Sequence, residues 1–263
     1  MNSVLDFAQF KAEGRRISMV TGYDAWSARL IAQSHVDAVL VGDSAAMVMH
    51  GHPTTIAATV RLMSVHTSAV ARAVGEKFLI ADLPFLSYRK GIPGAMTAVG
   101  ALTASGAQAV KLEGVDGHEE VIRNIVGSGV PVMGHIGLTP QSVNQLGGFR
   151  VQGRSDAGAA LLLRQAHALE HLGCFSIVLE CVPAQLAARI TAELRIPTIG
   201  IGAGACTDGQ VLVLQDIWGV DTRHSPRFVR RYIDGERVLT DALNRYDADV
   251  KEARFPGSDE SYS

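Results

Sequence analysis

The stretch DAGAALLLRQAHALEHLGCFSIVLE (156–180) contains the two elements from which most of the chain is built. Its first part, residues 156–173, has apolar residues at helical spacing, with Asp156 as candidate N-cap and Gly173 at the end. Its second part, SIVLE (176–180), is a short apolar run with the length of a buried strand. Alternation of helices with such strands is typical of a parallel α/β sheet.

Seven further apolar runs flank this unit, and most of them are separated by about 12–20 residues with helical spacing. They are ISMVT (17–21), AVLVGD (38–43), KFLIAD (77–82), QAVKLEG (108–114), PVMGHI (131–136), PTIGIG (197–202) and QVLVLQD (210–216). Eight strand–helix units fit a closed barrel, whereas six or seven would fit an open doubly wound sheet. The pattern therefore predicts an α/β fold of the (β/α)₈ TIM-barrel type.

Length and composition agree with this architecture. The chain has 263 residues, close to the roughly 250 that are typical of one such barrel. Hydrophobic residues make up 47% of the chain and aromatic residues only 6%, so aliphatic side chains must fill the core, as in parallel sheets covered by helices. We expect one domain over 1–263, with a helical cap at 1–16 and a C-terminal helix and tail at 225–263.

Charge and cysteine content narrow the class of protein. The net charge of −2 excludes a broad basic surface, so we expect no nucleic-acid partner. The N-terminus lacks a basic-then-apolar signal layout, and no apolar run approaches ~18 residues, so we expect a cytoplasmic protein without a membrane partner. Three cysteines (Cys174, Cys181 and Cys206) form no CxxC pair, which favours small buried hydrophobic roles over redox or metal roles.

Two segments stand apart from the strand–helix alternation. Residues 137–155, GLTPQSVNQLGGFRVQGRS, are polar and glycine-rich without either period, which predicts a lid or binding loop, with a surface for subunit contacts as the alternative. The run GIGAGACTDG (200–209) lies where barrels often bind phosphate. It does not match GxGxxG, so tight backbone packing is the favoured interpretation.

Ionisable residues recur at the ends of successive apolar runs. They are Asp43, Asp82, Lys111, Glu113, His135 and Glu180. An aspartate after a strand can simply cap the next helix, and a single histidine can be structural. Six such positions are harder to explain in that way, because burying many ionisable groups is costly. In a barrel these strand ends converge on the face that holds the active site.

Residue type separates the roles at this face. Asp43, Asp82 and Glu113 are hard oxygen ligands, and no cysteine–histidine cluster with zinc spacing accompanies them, so they favour Mg²⁺ or another divalent cation such as Mn²⁺. Lys111 lies two residues from Glu113 and therefore points to the same side of the strand, where its charge suits an oxyanion. Metal and lysine together indicate a small 2-oxo acid as substrate.

The last two strand ends offer proton-transfer and orienting groups. Glu180 lies between apolar segments, and partial burial there favours a role as proton acceptor. His135 either donates to a substrate carboxylate or orients a neighbouring group.

Several long segments resemble the ketopantoate hydroxymethyltransferase family nearly end to end. They are VGDSAAMVMHGHPTT (41–55), LIADLPFLSY (79–88), VKLEG (110–114), VPVMGHIGLTPQSVNQLGGFRVQGR (130–154), LECVP (179–183) and IGIGAGACTDGQVLV (199–213), with HSPRFV (224–229) and the FPG of the tail. The resemblance implies a (β/α)₈ barrel of the phosphoenolpyruvate mutase and isocitrate lyase superfamily.

The resemblance also implies an activity and its residues. It implies transfer of a one-carbon unit from 5,10-methylenetetrahydrofolate, as co-substrate, to 3-methyl-2-oxobutanoate, giving 2-dehydropantoate for pantothenate and coenzyme A synthesis. It implies a homo-oligomer, commonly a decamer. The implied roles are metal ligation by Asp43, Asp82 and Glu113, substrate binding by Asp43, Ser44, Asp82, Lys111 and His135, and proton acceptance by Glu180.

The chain departs from the family pattern in one segment. Ala45 and Ala46 stand where a glycine-containing turn is usual, which affects the expected shape of that loop but not the Asp43–Ser44 pair. The stretch DIWGVDTRH (216–224) supports no assignment.

Two other functions remain as alternatives. The first is a lyase or mutase of the same superfamily, but none of the cysteines lies in a Lys-Lys-Cys-Gly-type loop of the kind those lyases use. The second is a metal-dependent small-molecule sensor on a degenerate barrel, which predicts an incomplete carboxylate set, whereas here the set is complete.

Overall fold

The computed structural model describes residues 3–221 and 226–262. The chain divides into two compact units, 1–212 and 213–263, and each is described by itself. Of the segments that carry the family resemblance, His224 and Ser225 lie outside the described residues. The single-domain boundaries expected from the sequence stay a prediction.

The first unit is a closed barrel of eight parallel strands in sequential order, which confirms the predicted fold class. All eight predicted runs contain a strand. The strands are β1 (Ile17–Thr21), β2 (Ala38–Val41), β3 (Phe78–Asp82), β4 (Ala109–Lys111), β5 (Val132–Gly137), β6 (Ser176–Glu180), β7 (Thr198–Ile201) and β8 (Gly209–Leu212). β1 pairs with β8 through Met19 and Val211, which closes the barrel.

Helices connect the strands of this unit. They are α1 (Val4–Ala12), α2 (Ala25–Gln33), α3 (Ala45–Val48), α4 (Val60–Ala71), α5 (Gly91–Ala104), α6 (Glu119–Gly127), α7 (Val143–Leu146), α8 (Asp156–His171) and α9 (Ala184–Glu193), with 3₁₀ turns at Thr55–Ala57 and Pro140–Ser142.

Two element ends differ from the sequence prediction. The N-cap of α8 is Ser155, whose side chain accepts a hydrogen bond from the backbone N–H of Gly158, so Asp156 is the first helical residue rather than the cap. Within the predicted run 210–216, the strand ends at Leu212. Residues Leu214–Trp218 form a short helix instead, α10, which ends at Gly219 in the left-handed conformation.

The barrel interior is apolar at the end where the strands begin. Phe7 of α1 is fully buried, and its ring packs edge-to-face on Phe78 and Phe175 at centroid distances of 5.6 and 5.0 Å. One or two inward side chains from every strand join these rings in one core cluster: Ile17, Met19, Ala38, Leu40, Ile80, Ala109, Met133, Val178, Ile199 and Val211. This packing leaves the opposite end, where the strands finish, for polar groups.

The second unit, residues 213–263, contains α10 and the long helix α11 (Gly235–Lys251). Within it, the backbone N–H of Glu236 donates to the carbonyl of Gly219 and that of Tyr232 to the carbonyl of Ile217. The helix carries exposed apolar side chains at helical spacing, namely Leu239, Leu243, Tyr246 and Val250. Among the described residues of both units, no helix combines the length and apolarity needed to cross a membrane.

We expect Phe7→Ala to lower the free energy of unfolding by about 3–5 kcal/mol, because it removes a fully buried ring and leaves a cavity beneath the barrel. Urea denaturation measures this change. Leu5→Ala, on the exposed face of the same helix, is the matched control and should change stability by less than about 0.5 kcal/mol. Equal losses in both variants would contradict the placement of Phe7 in the core.

Candidate active site

Along the strands, the inward-facing side chains change from apolar in the core to polar at the strand ends. Side chains two residues apart in a strand lie on the same face. Inward core residues Ile80, Ala109, Met133 and Val178 are therefore followed, two positions later, by Asp82, Lys111, His135 and Glu180. The carboxyl end of the barrel thus collects charged groups directly above the aliphatic core, at the face where such barrels hold their active sites.

Asp82 links the end of β2 to the lysine of β4. Its Oδ2 accepts a hydrogen bond from the backbone N–H of Asp43 at 3.0 Å, and its Oδ1 lies 2.6 Å from Nζ of Lys111. All three residues are at most 5% exposed. Burial disfavours the lysine charge, but the surrounding carboxylates outweigh it and raise the pKa of Lys111 above its ordinary value, so the ammonium stays charged.

His135 joins the two glutamates of the predicted set. Its Nδ1 lies 3.5 Å from Oε1 of Glu113 and its Nε2 lies 3.2 Å from Oε2 of Glu180. The Glu113 and His135 side chains are 3% and 2% exposed, whereas that of Glu180 is 17% exposed. Of the two glutamates that contact His135, Glu180 is therefore the one that a bound substrate could reach more easily.

Ser44 lies beside a tyrosine that the sequence analysis missed. Its Oγ is 2.8 Å from the hydroxyl of Tyr23, a fully enclosed side chain whose pKa is raised by burial. Tyr23 follows the end of β1, so the rule that polar residues gather after strand ends would have found it. Ala45 and Ala46, the departure from the family pattern, are both fully buried in α3, where alanine suits a helical turn.

Gln141 is the second residue that the sequence analysis missed. It lies in the predicted 137–155 loop, which is not structureless but contains the Pro140–Ser142 turn and α7. Its Nε2 donates to Oδ2 of Asp43 at 2.8 Å and to the carbonyl of Leu83 at 2.9 Å. Its backbone N–H donates to Oε2 of Glu113 at 3.0 Å. One buried residue therefore contacts two of the three predicted metal ligands.

The predicted metal ligands lie in one network without forming a closed cage. Among residues 3–221 and 226–262, no three His, Cys, Asp or Glu side chains are arranged to hold a metal ion. Asp43 and Asp82 are adjacent, and Glu113 is connected to Asp43 through Gln141. An open set of carboxylates is the arrangement that suits Mg²⁺, which keeps waters and takes ligands from its substrate.

The charge of the cluster fits a divalent cation. When all six groups are ionised, four carboxylates face two cationic groups, which leaves an excess of two negative charges: Asp43, Asp82, Glu113 and Glu180 against Lys111 and His135. The excess is reflected in the pKa of Asp43, which is raised first by burial and then by the charges of Asp82 and Glu113. A bound dication would remove this repulsion.

The other segments singled out from the sequence have packing roles. In the 200–209 run, a Cβ at Gly204 would come within 2.5 Å of the Ala184 side chain, which supports the interpretation as tight packing. The three cysteines are free, but only Cys174 is buried; Cys181 is partly exposed and Cys206 is exposed, so the expected buried role is wrong for Cys206. Burial raises the pKa of Cys174 to about 12 and, with the charge of Glu180, that of Cys181 to about 11, so neither is a thiolate at neutral pH.

Comparison with known proteins identifies the family of this chain. A family model described as ketopantoate hydroxymethyltransferase matches residues 2–258. A Bdellovibrio bacteriovorus protein named 3-methyl-2-oxobutanoate hydroxymethyltransferase is 54% identical over 263 residues and covers 100% of both chains. Proteins of the same name are 51% identical in Coxiella burnetii, over 95% of both chains, and in Francisella tularensis subsp. novicida, over 100% of this chain and 99% of the relative.

Solved structures share the fold at low sequence identity. A phosphonopyruvate hydrolase in complex with oxalate and Mg²⁺ has a TM-score of 0.65 and 12% identity, covering 99% of this chain and 93% of the other. A 2,3-dimethylmalate lyase of the phosphoenolpyruvate mutase and isocitrate lyase superfamily has a TM-score of 0.61 and 14% identity, covering 100% and 89%. At these identities the likeness shows the barrel fold alone. The family match and the full-length relatives show more: this chain belongs to the ketopantoate hydroxymethyltransferase family.

Proposed function

We propose that this enzyme transfers a hydroxymethyl group from 5,10-methylenetetrahydrofolate to 3-methyl-2-oxobutanoate, forming 2-dehydropantoate for pantothenate synthesis. The observation that carries the proposal is the buried cluster of four carboxylates around one lysine and one histidine, above the barrel core. The names of the full-length relatives support the substrate. The folate donor rests on the family resemblance.

The substrate half of the site is assigned to the metal-side residues. Asp43, Asp82 and Glu113 would hold Mg²⁺ or another divalent cation, which when bound supplies Lewis-acid stabilisation of the charge on the oxo acid's oxygens. The ammonium of Lys111 is fixed by Asp82 and presents a positive charge to the substrate's carboxylate or keto oxygen. Ser44, held by Tyr23, offers a hydroxyl to the same substrate.

Glu180 is assigned as the base that removes the proton from C3 of the oxo acid. It ends β6 across the cluster from Asp43 and is more exposed than the other carboxylate that His135 contacts. Removing the proton leaves an electron pair at C3, which forms the new carbon–carbon bond to the donor's methylene carbon. That carbon is bonded to two nitrogens in the folate, and both C–N bonds break during the transfer. Water supplies the hydroxyl oxygen of the product. The two protons of water and the proton taken from C3 end on the two folate nitrogens and on the new hydroxyl group.

His135 has a positioning role in this scheme. Burial and the charge of Lys111 lower its pKa, but contacts with Glu113 and Glu180 outweigh them and raise it from 6.5 to about 9. The raised pKa favours the imidazolium form in metal-free protein, with one ring nitrogen within ion-pair distance of each glutamate. Of the two roles that the sequence left open for His135, this proposal favours the orientation of a neighbouring group over donation to the substrate carboxylate, because both ring nitrogens lie next to protein carboxylates.

Neither alternative function is favoured by an observation. Cys181, which follows Glu180, has a pKa raised to about 11 and is therefore a thiol rather than a catalytic thiolate at neutral pH, and Cys174 lies before the start of β6, away from the site. The sensor hypothesis predicts that some of the carboxylates are missing, but here all four are present and buried or half-buried.

Homo-oligomer formation, as a decamer, stays a prediction from the family resemblance, and a cytoplasmic location stays a prediction from the sequence. The exposed apolar residues of α11 (Leu239, Leu243, Tyr246 and Val250) support self-association, since such stripes are common in interfaces.

Glu180→Gln should slow exchange of the C3 proton of 3-methyl-2-oxobutanoate in D₂O by about 10²–10⁴-fold, because the amide cannot accept the proton. Proton NMR follows the exchange with Mg²⁺ present and folate absent, so that the result depends on proton removal alone. Glu193→Gln, on the exposed surface of α9, should exchange at the wild-type rate. Normal exchange by Glu180→Gln would assign the proton to another base.

Asp82→Asn should abolish Mg²⁺-dependent turnover, because it removes a negative ligand and the partner of Lys111 while keeping the side chain's shape. Circular dichroism reports whether the barrel is intact, and the full assay contains the oxo acid, methylenetetrahydrofolate and Mg²⁺. Asp116→Asn, in a half-exposed ion pair with Arg164, is the control. Unchanged Mg²⁺-dependent activity in Asp82→Asn would refute the ligand assignment.

In metal-free protein the imidazole of His135 should titrate near pH 9 rather than near 6.5. The folded-state pKa is raised, so the proton stabilises the fold fully below pH 6.5, and this contribution is lost as the pH rises through about 9. NMR of ¹⁵N-labelled histidine, in EDTA, measures the midpoint, with exposed His35 as internal reference. A His135 midpoint at or below 6.5 would contradict the two-glutamate arrangement.

A further inference from the structure

We propose that Gln141 is a positioning residue that sets the geometry of the metal-side carboxylates and so determines how tightly the site binds a divalent cation. The inference rests on the proposed function, because it takes Asp43 and Glu113 as metal ligands. It concerns a residue of the 138–155 connection, which runs from β5 to α8.

The amide of Gln141 has only one orientation that satisfies its neighbours. Its Nε2 faces Oδ2 of Asp43 and the carbonyl oxygen of Leu83, at 2.8 and 2.9 Å, and both of these atoms are acceptors. A flipped amide would bring its own oxygen against those two acceptors. On the other side, Oε1 lies 3.0 Å from the hydroxyl of Tyr88. The side chain is 4% exposed, so water does not compete for these contacts.

The backbone of the same residue holds a second ligand. The N–H of Gln141 donates to Oε2 of Glu113 at 3.0 Å. Tyr88 adds to this arrangement, since its hydroxyl also lies 3.0 Å from the carbonyl oxygen of Glu113. One residue therefore fixes a carboxylate oxygen of Asp43 through its side chain and one of Glu113 through its main chain. The spacing between the two carboxylates depends on where Gln141 lies.

Both ends of the connection are tied to the strand that carries the proposed base. The N–H of Leu138 donates to the carbonyl of Glu180 at 2.8 Å, and the N–H of Gln152 donates to that of Cys181 at 2.9 Å. At the start, Gly137 has φ +95°, and a Cβ there would overlap the carbonyl oxygen of Glu180. The connection thus links β6, which carries Glu180, to Asp43 and Glu113. These contacts at both ends suit a fixed structural element better than a lid that opens and closes.

A neutral amide is suited to this role. It donates to one oxygen of Asp43 and leaves the other available, and it adds no positive charge that would offset the excess negative charge of the cluster. Groups that orient metal ligands typically change metal affinity by about 10–100-fold when they are removed.

The test compares Gln141→Met with Gln145→Met, an exposed glutamine in α7 of the same connection. Methionine has nearly the length of glutamine but cannot donate to Asp43. Mn²⁺ binding followed by EPR should weaken by about 10–100-fold in Gln141→Met and stay at the wild-type value in Gln145→Met. Proton exchange at C3 should then need more Mg²⁺ but recover close to the wild-type rate at saturation, which a general loss of structure would not permit.

A second variant covers the case in which Gln141→Met does not fold. Tyr88→Phe removes the hydroxyl beside Oε1 and should weaken Mn²⁺ binding in the same direction by a smaller factor. Wild-type Mn²⁺ affinity in Gln141→Met, or in Tyr88→Phe if the first variant is unfolded, would overturn the inference while leaving the proposed function intact. If the wild-type protein itself binds no Mn²⁺, the proposed function fails first and the inference fails with it.

Discussion

Two cationic side chains are buried among four carboxylates at the carboxyl end of the barrel, and the rest of the site follows from their excess of negative charge. Burying unbalanced charge costs free energy that the apolar core must offset. The protein reduces this cost by pairing Lys111 with Asp82 and placing His135 between two glutamates. What remains unbalanced is the charge that a divalent cation would neutralise.

This constraint explains the division of the barrel into two ends. The aromatic cluster around Phe7 and the aliphatic side chains above it fill the lower part of the interior and fix the strands. Because successive inward residues lie two positions apart, rigid strands also fix the polar residues above them. Asp82, Lys111 and Glu180 therefore hold their places through the same packing that stabilises the fold.

Much of the fold and part of the site could be predicted from the sequence. The eight apolar runs predicted the strands, and the ends of these runs predicted which ionisable residues lie together: Asp43, Asp82, Lys111, Glu113, His135 and Glu180. Both predictions follow from the periodicity of strands, because side chains two residues apart share a face. Element ends were less predictable: a cap can move by one residue, as Ser155 shows, and an apolar run can pass from strand to helix, as at Leu214.

The contributions of connections were harder to predict. Gln141 lies in a segment without periodicity, and its contacts depend on how a long connection returns across the barrel end. Tyr23 was missed because it lies two residues beyond the apolar run that predicted β1, although the rule for strand ends extends to it. The role of His135 also depended on distances. The sequence left open whether His135 faces substrate or protein, and its distances to two glutamates support the proposed positioning role.

We propose that the buried carboxylate cluster, with its excess of negative charge, binds one divalent cation next to a 2-oxo acid. EPR titration of the wild-type chain with Mn²⁺, with and without 3-methyl-2-oxobutanoate, tests it most directly. We expect one saturable Mn²⁺ site per chain. We also expect the EPR spectrum to change when the oxo acid is added, because substrate oxygens would enter the coordination of the ion. No saturable binding, or a spectrum that the oxo acid leaves unchanged, would contradict it.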